Sequence, residues 1–192
     1  MKINSIAFGA KFRDTRTIVK QRGHFKENYN VAFVELSAKS KKDVDAIINL
    51  IEPWGGFNSY TFDIAKDMHD ILSNYKQPSA LNFPRFFAYT KQAEDFKHIN
   101  EKDILGITEI SFPKPNEIKI NCLETSPLYR AEVATRPLKH IGTSLVKTIQ
   151  EMFEGFSIFL CAEKNRVSFY KNLGFKNLQN NQHTSKLYFK KL

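Results

Sequence analysis

The stretch Arg136-Pro137-Leu138-Lys139-His140-Ile141-Gly142-Thr143-Ser144 gathers groups able to hold an anion. A helix opening at Ile141–Gly142 would present free backbone N–H groups and the positive end of its dipole. Glycine at that point lets an anion approach the backbone closely. Thr143 and Ser144 add hydroxyl donors, and Arg136 and Lys139 add positive charge. Together these describe a seat for phosphate or diphosphate, although an ordinary helix start with a solvated basic flank has the same composition. Other chemistries lack their residues. His24, His69, His98, His140 and His183 never pair at His-x-x-His or Glu-x-x-His spacing, so no metal site is implied. Cys122 and Cys161 sit in apolar runs that suit core residues better than nucleophiles. Neither a serine nucleophile elbow nor a Walker-type phosphate loop is present.

The elements that would position this seat follow from periodicity and punctuation. Residues 1–30 are the least legible, with Ile3–Phe8 and Arg16–Lys20 as short strands. Val31–Leu36 is β-branched and aromatic and reads as a strand. Ser40-Lys41-Lys42-Asp43 fits a capping box, followed by Val44, Ile47, Ile48 and Ile51 at helical spacing, with Pro53 and Gly55-Gly56 as the stop. A second helix spans about Ser59 to Tyr75 with Phe62, Ala65, Met68 and Leu72 as its stripe, closed by Gln77-Pro78-Ser79. Arg85–Thr90, Ile104–Phe112 and Glu117–Leu123 read as an antiparallel meander. A third helix starts at Ile141 and stops at Gly155. Phe156–Ala162 is a near-continuous apolar run, as in a strand buried on both faces. A short helix over Arg166–Leu173 and closing strands at Phe175–Leu178 and Lys186–Lys190 complete the order.

The run Asn165-Arg166-Val167-Ser168-Phe169-Tyr170-Lys171-Asn172-Leu173-Gly174-Phe175 is more specific. With the Ile-Gly-Thr-Ser-Leu helix start and the Leu-Glu-Thr-Ser-Pro strand end, it resembles the GNAT superfamily of acyl-CoA-dependent N-acyltransferases. The resemblance covers roughly residues 31–192 and implies an α/β fold: a twisted, mostly antiparallel central sheet flanked by helices on both faces and splayed where CoA inserts. It implies acetyl-CoA as co-substrate, an amine-bearing acceptor, and one acyltransferase domain over 1–192, with 1–30 an extension of unclear role.

The same resemblance assigns residues. The backbone of Leu123, Glu124 and Thr125 would bond the pantetheine arm, and His140, Ile141, Gly142, Thr143 and Ser144 the pyrophosphate. The family pattern there is Arg/Gln-x-x-Gly-x-Gly/Ala. Here Pro137 takes the Arg/Gln place and His140 that of the first glycine, so Arg136 or Lys139 would supply the charge. Tyr170 matches the tyrosine that protonates the departing thiolate, which suits a phenol, whose ordinary pKa is about 10. Glu163 stands where many relatives have asparagine, and Asn165 is either a CoA contact or a helix N-cap. A base must strip the ammonium before attack. Glu124 is the expected base, with Glu117 and Glu109 nearby. Glu117 and Glu124 differ by an odd number and would share a face only through a bulge.

Composition bounds the rest. The 192 residues are 42% hydrophobic and 26% charged, enough apolar material for a core and too ordered for a disordered tail. No apolar run suits a membrane span, no N-terminal signal core is read, and two cysteines make no disulfide framework, so a cytoplasmic protein is expected. The net charge of +9 is uneven. Residues 1–42 carry +7, residues 164–192 another +7, and the middle −5. Basic ends suit RNA, so an aminoacyl-tRNA or ribosomal-protein acceptor is one alternative, and a non-catalytic CoA-binding module another. Nothing fixes the oligomeric state, and a homodimer stays open.

Overall fold

The computed structural model describes residues 9–22, 24–75, 82–93, 96–130 and 132–190. The strand read at Ile3–Phe8 and the helix closure at Gln77-Pro78-Ser79 lie outside the described residues. Among the described residues nine strands form one sheet: β1 (Lys11–Arg22), β2 (Phe25–Leu36), β3 (Arg85–Thr90), β4 (Ile104–Lys114), β5 (Glu117–Thr125), β6 (Leu138–Lys139), β7 (Ser157–Glu163), β8 (Lys176–Asn180) and β9 (Thr184–Lys190). Their order across the sheet is β6-β1-β2-β3-β4-β5-β7-β9-β8, antiparallel throughout except for the parallel β5–β7 pair. The helices are α1 (Lys41–Ile48), α2 (Ile51–Trp54), α3 (Tyr60–Leu72), α4 (Ile141–Met152) and α5 (Val167–Lys171).

The sheet separates two apolar clusters. On one face α1 and α3 bury Val44, Ile47, Ile64 and Met68 against Val34, Phe86, Ala88 and Ile107. On the other, α4 buries Leu145, Val146 and Ile149 against Phe33, Phe87, Ile118, Ile158 and Leu187, and α5 packs Phe169 and Tyr170 on the same cluster. α1, α3 and α4 each hide one stripe, so the described residues form three layers with the sheet in the middle.

Several expectations shift in detail. The strand read at Arg16–Lys20 is the middle of a twelve-residue strand paired along β2, so residues 11–30 are part of the sheet. Pro53 does not end α1, which stops at Ile48; it lies inside the short α2, where its missing N–H would have had no helical acceptor. In α3 the buried stripe is Thr61, Ile64, Ala65, Met68 and Ile71, while Phe62 and Leu72 are half-buried, and the helix stops at Leu72. β7 is not buried on both faces: Ile158, Leu160 and Ala162 are covered by α4 and α5, while Phe159 is half-exposed and Cys161 exposed. On that second side α3 reaches β7 at its end, where Tyr60 bonds Glu163, and Phe159 and Cys161 stay open to solvent. The last short helix is Val167–Lys171 behind a 3-10 turn at Lys164–Arg166, and Asn165 caps neither; Glu163 and Arg166 hold the cap positions.

The capping box at Ser40 forms with a variation. Ser40 Oγ accepts from the Asp43 amide at 3.4 Å, but the Asp43 carboxylate reaches further back, accepting from the Ser37 amide at 2.8 Å. Burial pushes the Asp43 carboxyl up to about 6.

Candidate active site

Two neighbouring strands part at the centre of the sheet. β5 and β7 pair in parallel from Glu117↔Ser157 to Ile120↔Leu160 and no further. Beyond that point β5 continues to Thr125 on β4, while β7 continues to Glu163 on β9. Residues 121–125 and 161–163 therefore flank a notch and turn unpaired backbone edges into it. Leu123, Glu124 and Thr125 lie on this lip, where the family resemblance places them.

A bulge sets which side chains face which way. On β4 Glu109 pairs with Cys122 and Ile110 with Ile120, leaving Asn121 as the extra residue on β5. Before it, Ile118 and Ile120 point to the α4 side; after it, Leu123 does. Cys122 and Glu124 turn to the α3 side. Glu117 and Glu124 thus share a face, as only a bulge allows. They sit at opposite ends of the strand: Glu117 lies 3.7 Å from Lys114. Glu109 is buried and accepts from Asn121 Nδ2 at 2.7 Å.

α4 delivers its N-terminus to this notch. Gly106 on β4 permits the approach: a Cβ there would lie 2.8 Å from Leu145 Cδ1 and 3.0 Å from Ile141 Cγ2. Gly142 faces the lip, where a Cβ would touch Thr125, Phe169 and Leu123 at 3.5–3.8 Å. The first amide bonded within the helix is that of Ser144, to His140 O at 2.8 Å. The amides of Ile141, Gly142 and Thr143 are left without helical acceptors, and no side chain caps them. The cap residue His140 is left-handed, φ 64°, a conformation that glycine reaches without a Cβ penalty. That explains why a glycine would suit this place and shows that histidine can still make the turn.

The segment before α4 is clipped to the sheet. Leu138 and Lys139 pair as β6 with Lys20 and Val19 of β1, and the Gln21 amide donates to Pro137 O at 2.8 Å. Arg136 Nη1 donates to Val133 O at 3.0 Å and Lys139 is half-buried. Of the two expected hydroxyl donors, Thr143 is half-exposed at the helix start. Ser144 is instead turned inward, 3.0 Å from the buried Tyr89 Oη, which also meets Thr148 Oγ1 at 2.6 Å.

Tyr170 lies on α5, within the apolar cluster under α4. Its ring packs edge-on against Phe169 at 4.8 Å and Phe175 at 5.8 Å. Burial above all, then the electrostatic influence of Tyr60 and Glu163, pushes its phenol up to about 12, against an opposing pull from Arg166. The turn after α5 is held to α4 by Gln150 Nε2, which donates to Leu173 O at 2.9 Å.

Thr61 and Arg130, both at the notch, escaped the sequence reading of the site. The first residues of α3 bridge the gap. The amide and hydroxyl of Thr61 both donate to Glu124 Oε2 at 2.7 Å, and Tyr60 Oη donates to Glu163 Oε1 at 3.4 Å on the opposite lip. Arg130 donates to Glu124 Oε1 at 2.7 Å and to Trp54 O at 3.0 Å. Glu124 therefore has both oxygens occupied, with a side chain only 10% exposed. Glu163 is exposed and takes the one long bond from Tyr60. The bonds from α3 join residues 63 and 103 apart in sequence, and no local pattern signals such pairs.

No protein-family model and no curated protein matches this chain. Solved structures do. A putative acetyltransferase of the GNAT family from Desulfovibrio desulfuricans superposes with a TM-score of 0.57 at 16% identity, covering 83% of this chain and 98% of that one. PaiA N-acetyltransferase from Thermoplasma acidophilum, in complex with coenzyme A, gives 0.53 at 15%, covering 84% and 99%. The fold is the GNAT fold. N-acetyltransferase PseH from Campylobacter jejuni, in complex with acetyl coenzyme A, gives 0.50 at 12%, covering 83% and 99%. Two GNAT-fold neighbours thus carry CoA or its acetyl ester.

Proposed function

We propose that the chain is one acyltransferase domain that moves an acetyl group from acetyl-CoA to a primary amine. The feature that supports this is the notch: strand edges opened at Leu123–Thr125, amides at Ile141–Thr143 without helical acceptors, and on α5 a protonated phenol, Tyr170, under the electrostatic influence of Tyr60 and Glu163 at the rim. The amides of the α4 N-terminus, with Arg136 and Lys139 nearby, hold the diphosphate. The pantetheine arm lies along Leu123, Glu124 and Thr125 as an added strand, passing Asn165 near the far lip.

The chemistry then follows from the residues. An ammonium acceptor gives a proton to a carboxylate, and the amine nitrogen attacks the thioester carbonyl. As the C–S bond breaks, the Tyr170 hydroxyl donates its proton to the CoA sulfur. The phenolate recovers the second proton from the new amide nitrogen. Glu124 enters as an anchor more than as the base, since Thr61 and Arg130 occupy its lone pairs. Glu163, exposed at the other lip, is the freer carboxylate and passes the first proton to solvent. The two free thiols, Cys122 and Cys161, fit a reducing cytoplasm.

Thiol release from acetyl-CoA across a panel of amines tests this. The wild-type chain should turn over with at least one amine, and Tyr170→Phe should lower kcat about a hundredfold or more while CoA affinity holds. An unchanged rate removes Tyr170 as the acid. CoA binding with no turnover on any amine makes the chain a binding module.

A further inference from the structure

The side of β7, β9 and β8 on which Phe159 and Cys161 stay open to solvent has its own chemistry. Residues paired across adjacent strands share a face. Lys119 of β5 pairs with Phe159 of β7, Phe159 with Tyr188 of β9, and Tyr188 with Lys176 of β8. That is one row of two aromatic rings with a lysine at each end. Rows on either side add Lys186, opposite Cys161, and Lys190, opposite Ser157. The rings of Phe159 and Tyr188 lie 5.3 Å apart at 39°, and Lys186 Nζ sits 5.5 Å from the Phe159 ring. Both rings are half-exposed, and Lys119, Lys176, Lys186 and Lys190 are exposed. A cavity of about 410 Å³ opens between Lys119, Phe159, Cys161 and Lys186. The acidic side chain lining it, Glu117, is matched by Lys114 at 3.7 Å.

Solvent-facing rings on adjacent strands offer π-faces to flat, uncharged groups, and the lysines around them offer charge to an anion. A nucleic acid single strand supplies both, as unstacked bases and as backbone phosphates. A duplex keeps its bases inside the stack. A second copy of this chain would set lysines against lysines.

We propose that this sheet face binds a single-stranded polynucleotide, with bases stacked on Phe159 and Tyr188 and phosphates met by Lys119, Lys176, Lys186 and Lys190. Four strands span about 14 Å, room for about two or three nucleotides. The face runs toward the notch, since Cys161 is two residues before Glu163 on β7. The proposal does not rest on acetyl transfer, because binding is read without acetyl-CoA.

Fluorescence anisotropy of the full chain with short labelled oligouridine and oligothymidine tests it, with heparin, duplex RNA and anionic vesicles as the comparison arms. Single strands should bind more tightly than all three. Tyr188→Ser, alone and with Phe159→Ser, should weaken single-strand binding about tenfold per ring and leave heparin binding unchanged. Lys176→Glu with Lys190→Glu should weaken both and reduce the salt slope by about 1.4, which is about 0.7 for each phosphate no longer neutralised. Far-UV circular dichroism checks that each variant is folded; if the double ring variant is not, Tyr188→Ser and the lysine pair carry the test. Preference for oligouridine over oligothymidine would identify RNA, and equal binding single strands of either sugar; both support the proposal. Heparin or vesicles bound as tightly as single strands, or ring variants without effect, would overturn it in favour of a generic basic surface.

Discussion

Tyr170 packs between Phe169 and Phe175, and that environment sets a pH signature for its proposed role as the acid. An ordinary phenol titrates near pH 10. Burial holds this one up at about 12. A general acid works while protonated, so a raised pKa extends its working range upward. The rate should rise as the acceptor amine loses its proton and then level, with no fall around pH 10. A kcat profile measured to about pH 10.5 checks this, and a falling limb centred near 10 would contradict it. At this scale the motif was legible, because Phe169 to Phe175 is a local run whose side chains pack on one another. The carboxylates were not. Whether Glu124 is free or engaged depends on Thr61 and Arg130, which reach it from another helix and from a loop. Ser144 likewise has the look of an available donor in sequence, and only the fold brings Tyr89 to hold it.

Among the elements, α4 owes its position to two features distant in sequence. Gly106 lets it press on β4, and the β1–β6 clip fixes the segment leading into it. Gln21→Pro removes the N–H that bonds Pro137 O, near the tip of the β1–β2 hairpin. It should leave the core folded and weaken acetyl-CoA binding about two- to tenfold, the worth of one hydrogen bond. Calorimetry on the folded variant checks this; unchanged affinity would mean that the clip has no part in the seat. Strand positions from Val31 onward, β6 apart, were legible because β-branched runs and turn residues are local. The length of β1 was not, since Lys11–Arg22 is mostly polar and is held by pairing to β2 on one side and β6 on the other. β7 misled for a related reason: Phe159 is apolar on an uncovered face, so the run looked buried on both sides.

Over the whole molecule, uneven charge takes on meaning once the chain is folded. Lys11, Arg13, Arg16, Lys20, Arg22 and Lys26 lie on the hairpin that pairs with the segment leading into α4, and Lys176, Lys186 and Lys190 lie on β8 and β9 at the uncovered face. The order of elements was legible and matches a fold shared with distant acetyltransferases, whereas the meeting of α3, Arg130 and the notch depends on tertiary packing alone. The central claim is that CoA lies with its diphosphate on the α4 amides and its tail in the gap between β5 and β7. A crystal structure of the chain with acetyl-CoA tests that most directly. It should place the diphosphate within hydrogen-bonding distance of the Gly142 amide, the arm beside Leu123–Thr125, and the sulfur within reach of the Tyr170 hydroxyl. Acetyl-CoA seated on another surface, or a notch that stays closed to it at saturating concentration, would contradict the claim.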